Sequence, residues 1–268
     1  MDACNARVPH AAAEFLLIDN SNSFTKFALA SRTELGAARR LPTRDLTTET
    51  LTRTLRGWKF DRVVLSTVVP EKGEVISRFI QGTPLLKVSS RVKLGVGIDY
   101  PKPASIGADR LANAASASAL FGAPVVVVDF GTAVSFDIIS AERKYVGGVI
   151  APGLEAMTDY LHQRTALLPK ITLLEPPSAI GKSTRQAMLA GAVHGYRGLV
   201  RQILLEIQRE LGHPAGERSA HRGRQAAPMA IVATGGYAEL IAAGLPEITH
   251  VQPTLTLEGL RIIGSLNF

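Results

Sequence analysis

One short pattern occurs twice in the chain, and this duplication restricts the fold to one assembled from two similar halves. The segments FLLIDNSNSFTKFAL and VVVVDFGTAVSFDII both begin with an apolar run, reach an aspartate, cross a small polar turn and continue as a second strand. Short apolar runs bounded by turn residues predict strands that are buried on both faces. The repeat therefore predicts two strand-turn-strand units, each with a carboxylate at the end of its buried strand.

Aligning the two segments pairs residues at the turns: Asp19 with Asp129, Ser21 with Gly131, Asn22 with Thr132, and Thr25 with Ser135. Small polar residues after a strand let backbone N–H and hydroxyl groups approach a phosphate closely. Either turn alone is also typical of a plain hairpin. Their common register, together with a third glycine turn at 234–236, favours a nucleotide held between two halves.

Length and charge exclude several classes of protein. The 268 residues and a hydrophobic fraction of 46% predict about two globular domains, which excludes a disordered chain. The net charge of +7 suits anionic ligands from nucleotides to nucleic acid. The single cysteine, Cys4, cannot form an intramolecular disulfide and favours a cytoplasmic location. The most apolar stretch, 125–139, is interrupted by Asp129, Ser135 and Asp137, which argues against a membrane span.

Periodicity and turn residues predict an α/β chain in three parts: a frayed leader over 1–14, a first half over 15–121 and a second half over 122–268. The first half is expected to end in a helix over 105–121 with Ser105 as its N-cap. In the second half, Ser183 or Thr184 is expected to cap a long helix. Residues 213–228 are rich in Gly, Pro and Arg and are interpreted as a solvated loop rather than a nucleic-acid arm.

Better-known site motifs are missing. Residues 181–184 (GKST) look like the end of a Walker A loop, but Pro176 stands where that motif needs its first glycine. The chain has no GxGxxG after a strand, no HExxH and no GxSxG. These absences argue against a P-loop, a Rossmann site, a zinc protease and a serine hydrolase.

Six motifs occur in order from Phe15 onward: DNSNSFTKF, YPKPASIGADRLANAASA, DFGTAVSFDII, GGVIAPGL, IGKSTRQAMLAGAVHGY and TGGYAELI. Together they resemble type III pantothenate kinase, a family of the actin, sugar-kinase and Hsp70-like superfamily. The resemblance implies duplicated ribonuclease-H-like (actin-like ATPase) domains with ATP in the cleft between them. It also implies ATP-dependent phosphorylation of pantothenate to 4'-phosphopantothenate, the first step of coenzyme A biosynthesis.

The resemblance assigns ATP contacts to one run and one further residue: Asp19, Asn20, Ser21, Asn22, Ser23, Phe24, Thr25, Lys26 and Thr132. Ser21 stands where the family has glycine, which is harmless if the backbone there is an ordinary one. Asp19 is the expected carboxylate for Mg²⁺. By the same resemblance, Asp129 is the expected ligand of a monovalent cation, K⁺ or NH₄⁺. Gly235 and Gly236 either lie against the nucleotide or form a plain turn.

The same resemblance assigns pantothenate contacts to six residues: Tyr100, Gly107, Ala108, Asp109, Arg110 and Thr184. Asp109 is the implied general base for the substrate hydroxyl. Arg110 is suited either to the pantothenate carboxylate or to the charge that develops on the phosphate. Family members are homodimers, and the apolar stretch 187–193 is either the dimer contact or ordinary core.

Two other functions stay open on the sequence. One is a non-catalytic regulatory homologue, because the basic charge allows nucleic-acid contact. The other is a kinase of the same superfamily acting on a different small hydroxyl compound. The retained Asp109 and Asp129 favour catalysis, and Tyr100 with Thr184 favours pantothenate. Neither nucleic acid nor a membrane is expected as a partner.

Overall fold

A computed structural model describes residues 13–212 and 229–268. The predicted leader, except for its last two residues, and the predicted loop 213–228 lie outside the described residues. The strands are β1 (Phe15–Asn20), β2 (Phe24–Ala30), β3 (Arg39–Pro42), β4 (Arg62–Thr67), β5 (Leu85–Lys87), β6 (Gly97–Ile98), β7 (Val125–Phe130), β8 (Ala133–Ile139), β9 (Lys144–Pro152), β10 (Ala230–Gly235) and β11 (His250–Val251). The helices are α1 (Thr48–Thr54), α2 (Pro70–Phe79), α3 (Ala108–Phe121), α4 (Leu154–Arg164), α5 (Thr184–Glu210), α6 (Ala238–Ala242) and α7 (Leu255–Asn267).

The first compact unit contains the described residues up to Leu120, with Lys144–Val146 and Thr254–Phe268. Its sheet has the order β3-β2-β1-β4-β5. β2 runs antiparallel to β1 and to β3, whereas β4 is parallel to β1 and to β5. β1 is buried along its whole length because α1 and α2 pack on one face of the sheet and α7 packs on the other.

The second unit, Phe121–Arg143 with Gly147–Pro253, repeats this sheet. Its strands have the order β9-β8-β7-β10-β11, with β7 antiparallel to β8 and parallel to β10. The short β6 pairs with Lys144 and Tyr145 at the start of β9, two residues that group with the first unit. The same strand order in both units confirms the predicted duplicated ribonuclease-H-like fold.

The two hairpins differ by one residue. Asn20 pairs with Thr25 in the first, whereas Phe130 pairs with Val134 in the second, so the second turn is one residue shorter. The burial patterns of β2 and β8 are identical when Phe24 is placed on Ala133. The predicted alignment of Thr25 with Ser135 is therefore wrong. The alignment of the buried strands themselves stands.

Of the two predicted helix starts, that of α5 is confirmed and that of α3 is wrong. Ser183 caps α5, as predicted, and its side chain accepts the N–H of Gln186 at 3.3 Å. The prediction that Ser105 caps α3 is wrong, because Pro103–Ser105 forms a separate 3-10 turn and α3 begins at Ala108. The hydroxyl of Ser105 instead donates to the carbonyl of Lys102 at 2.7 Å.

The C-terminal helix α7 packs with the first unit, although the sequence places it in the half 122–268. Thr256 Oγ1 donates to Asn113 Oδ1 of α3 at 2.9 Å, and both side chains are buried. A Cβ at Gly259 would lie 2.0 Å from the carbonyl oxygen of Ala112, so only glycine permits this approach of α7 to α3. Among the described residues, no helix is both long and apolar enough to cross a membrane.

Candidate functional site

The first turn carries a buried carboxylate beneath an exposed tip. Asp19 is 2% exposed at the end of β1, while Asn22 and Ser23 are exposed. Ser21 Oγ donates to Asp19 Oδ1 at 3.0 Å, and Lys26 Nζ lies 3.9 Å from Asp19 Oδ2. Lys26 is opposite Asp19 in the strand register, so the sheet holds the two charges on one face.

Ser21, which replaces the family's glycine, adopts a backbone that any residue can adopt. Within the described ranges, Arg143 is the one non-glycine residue with a positive φ. At the corresponding place in the second half, a Cβ on Gly131 would meet its nearest atom at 3.5 Å. Both turns therefore accept a side chain at this position, and the serine does not distort the first turn.

Asp109 lies in the first turn of α3, where its carboxylate is closely confined. Its Oδ1 accepts the backbone N–H of Arg110 at 2.8 Å. Burial raises the pKa of the Asp109 carboxyl, against a smaller opposite effect of the Arg110 N–H and guanidinium. A Cβ at Gly107 would lie 2.6 Å from Asp109 Oδ1, so glycine at 107 leaves the space that the carboxylate occupies.

An aromatic pair supports the side chains around Asp109. The Arg110 guanidinium lies 5.7 Å from the ring centroid of Tyr145, and the ring of Tyr100 meets that of Tyr145 edge-on at 6.0 Å. Tyr145 is 1% exposed, whereas Tyr100 is 38% exposed. Tyr100, Arg110 and Asp109, three of the residues assigned to pantothenate, thus lie in one region of the first unit. Sequence reasoning missed Tyr145, because only the pairing of β6 with β9 brings it there.

The second half gathers a similar group of oxygens around Asp129. Gly235 has a φ of +92°, and a Cβ there would lie 2.6 Å from Asp129 Oδ1 and 2.6 Å from the carbonyl oxygen of Phe130. Gly153 donates its N–H to the carbonyl of Thr132 at 3.2 Å. A Cβ at Gly153 would lie 2.3 Å from that same oxygen. Two other segments therefore pack against the turn that follows Asp129: the glycine turn at Gly235 and the APGL motif at Gly153.

A tyrosine-carboxylate pair joins α4 to the glycine turn of β10. The hydroxyl of Tyr237 donates to Glu155 Oε1 in the first turn of α4. Burial, with the Glu155 carboxylate, raises the pKa of Tyr237 well above its ordinary value. The pair fixes the Gly235-Gly236 turn against α4. No sequence signal distinguished it.

Thr184 begins α5 and lines an apolar cavity of about 640 Å³ in the second unit. Most lining side chains come from α4 and α5: Met157, Thr158, Tyr160, Leu161, Thr184, Ala187, Met188, Gly191 and Ala192, with Leu168 from the connection between them. Tyr160 is 61% exposed and Leu161 is 39% exposed. Large apolar side chains open to solvent on one face indicate a docking surface.

The connection from α4 to α5 is anchored by a bidentate ion pair. Arg197 on α5 is 7% exposed and donates to both carboxylate oxygens of Glu175, at 2.8 and 2.6 Å. Arg197 also lowers the pKa of Glu175 through these bonds. Arg197 therefore holds in place the segment that leads to Thr184. No strand precedes Gly181 in this connection, whereas a P-loop follows a strand directly.

Within residues 13–212 and 229–268, no group of three or more His, Cys, Asp or Glu side chains is arranged to hold a metal. Asp19 and Asp129 are therefore not part of such a group within these ranges.

Comparison with known proteins identifies a family. The family model described as type III pantothenate kinase matches residues 15–206. A type III pantothenate kinase from Akkermansia muciniphila is 51% identical over 255 residues, which cover 94% of this chain and 99% of the relative. One from Methylacidiphilum infernorum is 40% identical over 251 residues, covering 94% of this chain and 88% of the relative.

A solved structure supports the fold. A Baf family protein from Campylobacter jejuni, described as a transcriptional activator, superposes with a TM-score of 0.56 at 19% identity. The superposition covers 92% of this chain and 96% of the other. At this identity the likeness establishes the shared fold alone.

The glycine turn beside Asp129 yields a test. We expect Gly235→Ala to lower the free energy of unfolding by about 2 kcal/mol or more, because a positive φ and two close oxygens both oppose a Cβ. Gly236→Ala is the matched control: a Cβ there meets nothing within 4 Å, and the change is expected within about 0.5 kcal/mol. Urea unfolding of both variants measures the difference. Equal effects would contradict the described packing at Asp129.

Proposed function

The chain belongs to the type III pantothenate kinase family, and from this membership we propose how its own residues perform the reaction. The enzyme transfers the terminal phosphoryl group of ATP to the primary hydroxyl of pantothenate, giving 4'-phosphopantothenate for coenzyme A biosynthesis. We assign the two nucleotide-binding turns to duplicated halves over 15–121 and 122–268. The observation that carries the mechanism is the confined carboxylate of Asp109 at the start of α3.

Asp109 acts as the general base. Its Oδ1 is held by the Arg110 N–H, and we assign Oδ2 to the substrate proton. Burial raises the pKa of this carboxyl, so Asp109 is a stronger base than an exposed aspartate. In the loose transition state of phosphoryl transfer the hydroxyl proton leaves late, when the attacking oxygen has become acidic. Gly107 and Ala108 form the backbone that turns the carboxylate toward the substrate.

The first turn binds the ATP phosphates. The proposal covers the run from Asp19 through Lys26, with Thr132 contributing from the second half. The exposed tip offers the backbone N–H of Asn22, and Lys26 adds positive charge. This support depends on the ordinary backbone at Ser21, which leaves the turn undistorted.

Asp19 is the residue we assign to Mg²⁺. Its buried carboxylate lies opposite Ser66 in the register of β1 and β4, and the buried Ser66 hydroxyl has no hydrogen-bond partner among the described residues. A carboxylate beside an unsatisfied hydroxyl fits a hydrated magnesium ion, which keeps several waters. When bound, Mg²⁺ neutralises charge on the phosphates.

Asp129 is the residue we assign to a monovalent cation, K⁺ or NH₄⁺. Its Oδ1 and the Phe130 carbonyl oxygen both lie against Gly235. One carboxylate with backbone carbonyls is a ligand set that suits a weakly charged, large cation rather than a divalent ion cage.

Pantothenate is recognised by Tyr100, Arg110 and Thr184. Tyr145 fixes the Arg110 guanidinium, which suits the carboxylate of pantothenate because its planar fork binds carboxylates in two places. Tyr100 supplies a half-exposed ring for the apolar part of the substrate. Thr184 contributes from the start of α5.

We further propose that the enzyme is a homodimer joined through the α4–α5 cavity. Exposed apolar side chains, including Tyr160 and Leu161, support this assignment because a second copy would remove them from water. Thr184 lines the same cavity, so dimer formation and substrate binding share a surface. We also propose a cytoplasmic location, which the single Cys4 supports.

Asp109→Asn tests the catalytic assignment. We expect turnover to fall by at least about 100-fold, while ATP binding is kept. Because burial raises the Asp109 pKa, the ionised carboxylate costs stability as pH rises through that value, so the variant is expected to be no less stable than wild type at pH 7. Phosphopantothenate is measured by mass, with thermal unfolding in parallel. For wild type, activity should decline as pH falls through the same raised pKa.

The control for this test is Asp61→Asn, an exposed carboxylate of the same unit, which should keep wild-type turnover. Near-normal turnover by Asp109→Asn would remove Asp109 from its role. No product from folded wild-type protein with ATP, Mg²⁺ and K⁺ would overturn the kinase assignment itself.

The cation assignment predicts faster turnover in K⁺ than in Na⁺. Asp129→Asn is expected to reduce activity in K⁺ to about the Na⁺ level, because the carboxylate that holds the cation is gone. Glu210→Gln, an exposed residue at the end of α5, serves as control. Steady-state rates in the two salts at equal ionic strength decide the point, and identical wild-type rates would contradict it.

The dimer assignment predicts opposite outcomes for two exposed leucines. Leu161→Glu places a charge in the cavity and is expected to give a monomer with a higher KM for pantothenate. Leu120→Glu, at a site 46% exposed on α3, is expected to stay dimeric. Sedimentation velocity measures both. A monomeric wild type, or a dimeric Leu161→Glu variant, would refute the proposed interface.

A further inference from the structure

A chain of four hydrogen bonds runs through the first unit and ends on the backbone of the phosphate-binding turn. Thr67 Oγ1 donates to Asn20 Oδ1 at 2.7 Å, and Asn20 Nδ2 lies 2.8 Å from Thr25 Oγ1. Thr25 Oγ1 lies 3.0 Å from Thr43 Oγ1, and Thr43 Oγ1 donates to the carbonyl of Ser21 at 2.6 Å. The chain links β4, β1, β2 and the end of β3 to the turn.

Counting donors fixes the direction of every bond. The Ser21 carbonyl can only accept, so the single hydroxyl proton of Thr43 points to it. Thr43 must then accept from the hydroxyl of Thr25, and Thr25 must accept from the Asn20 amide. This orientation places the Asn20 oxygen toward Thr67, and the reverse amide orientation would leave the bond between Thr25 and Thr43 without a proton.

Thr43 holds the turn at a second place. Its backbone N–H donates to the carbonyl of Ser23 at 3.0 Å, and the residue is 3% exposed. In a trans peptide the carbonyl points opposite to the following N–H. Because Thr43 holds the Ser21 carbonyl, the N–H of Asn22 points away from Thr43, and the bond to the Ser23 carbonyl anchors the other end of the turn.

The second half repeats the backbone part of this contact. Gly153 donates its N–H to the carbonyl of Thr132, and Thr132 takes the place of Ser23 in the register defined by the burial patterns. Pro152 precedes Gly153 as Pro42 precedes Thr43. A contact that both halves keep, each at its own turn, points to a requirement of the turn rather than to chance packing.

We propose that Thr43 is a positioning residue for ATP, acting through the backbone of Ser21 and Ser23. It touches no reacting atom. Its two bonds anchor both ends of the turn tip and orient the N–H of Asn22, which meets the phosphates, and so reduce the ordering that ATP binding would otherwise require. The inference rests on the proposed function, since it assumes that this turn binds ATP.

Thr43→Val, Thr43→Ser and Ser77→Ala test the inference. Valine keeps the shape and removes the hydroxyl, so the KM for ATP and the dissociation constant of ATP are expected to rise roughly 5- to 10-fold. The KM for pantothenate should stay unchanged, because Tyr100 and Arg110 do not contact Thr43. Serine restores the hydroxyl and should restore ATP affinity. Ser77→Ala removes a comparable hydroxyl bond, to the Gly73 carbonyl at 2.7 Å, and should change neither constant.

These outcomes distinguish a failure of the positioning role of Thr43 from a failure of the proposed kinase function. Equal ATP affinity in Thr43→Val and wild type overturns the positioning role, as does a loss that serine fails to rescue or one that affects both substrates equally. If the valine variant does not fold, Thr67→Val removes the first donor of the chain and must raise the KM for ATP selectively. Failure of wild type to make phosphopantothenate instead refutes the proposed function, and ATP affinity measured by calorimetry still decides the role of Thr43.

Discussion

The burial of two central strands is the constraint on which the rest of this structure depends. β1 and β7 carry apolar residues on both faces and must be covered from both sides. In the first unit α1 and α2 cover one face of the sheet, and α7 returns from the far end of the chain to cover the other. Polar groups are excluded from the middle of such strands, so the carboxylates of Asp19 and Asp129 occur where the strands end. The burial of β1 and β7 therefore determines where these two carboxylates lie.

The sequence predicted the fold and the two carboxylate turns because both have local signatures. The apolar runs before Asp19 and Asp129 specify buried strands, and Ser183 specifies a helix start by its ability to accept an N–H. Ser105 has the same chemistry but does not cap α3, because it belongs to a separate 3-10 turn that begins at Pro103. Local composition cannot distinguish these two cases. The one-residue difference between the hairpins was also missed, since only cross-strand pairing defines it.

What sequence could not predict are contacts between residues distant in the chain. Tyr145 beneath Arg110, Glu155 with Tyr237, and Thr43 against Ser21 each depend on the sheet order. The structure also explains two glycines of the motifs, because carbonyl or carboxylate oxygens lie where their Cβ atoms would be. Gly107 makes space for the Asp109 carboxylate, and Gly235 makes space for that of Asp129. The sequence shows that these positions are glycine, but it does not show which oxygens require glycine there.

The unequal turns give the two halves different freedom to evolve. In the second half, Gly153 follows the proline that ends β9. Only glycine fits there, because the carbonyl oxygens of Gly131 and Thr132 lie where a Cβ would be. In the first half, Thr43 follows the proline that ends β3, and the longer turn there leaves space for its side chain. After the duplication, a side chain at this one position is therefore permitted in the first copy and blocked in the second.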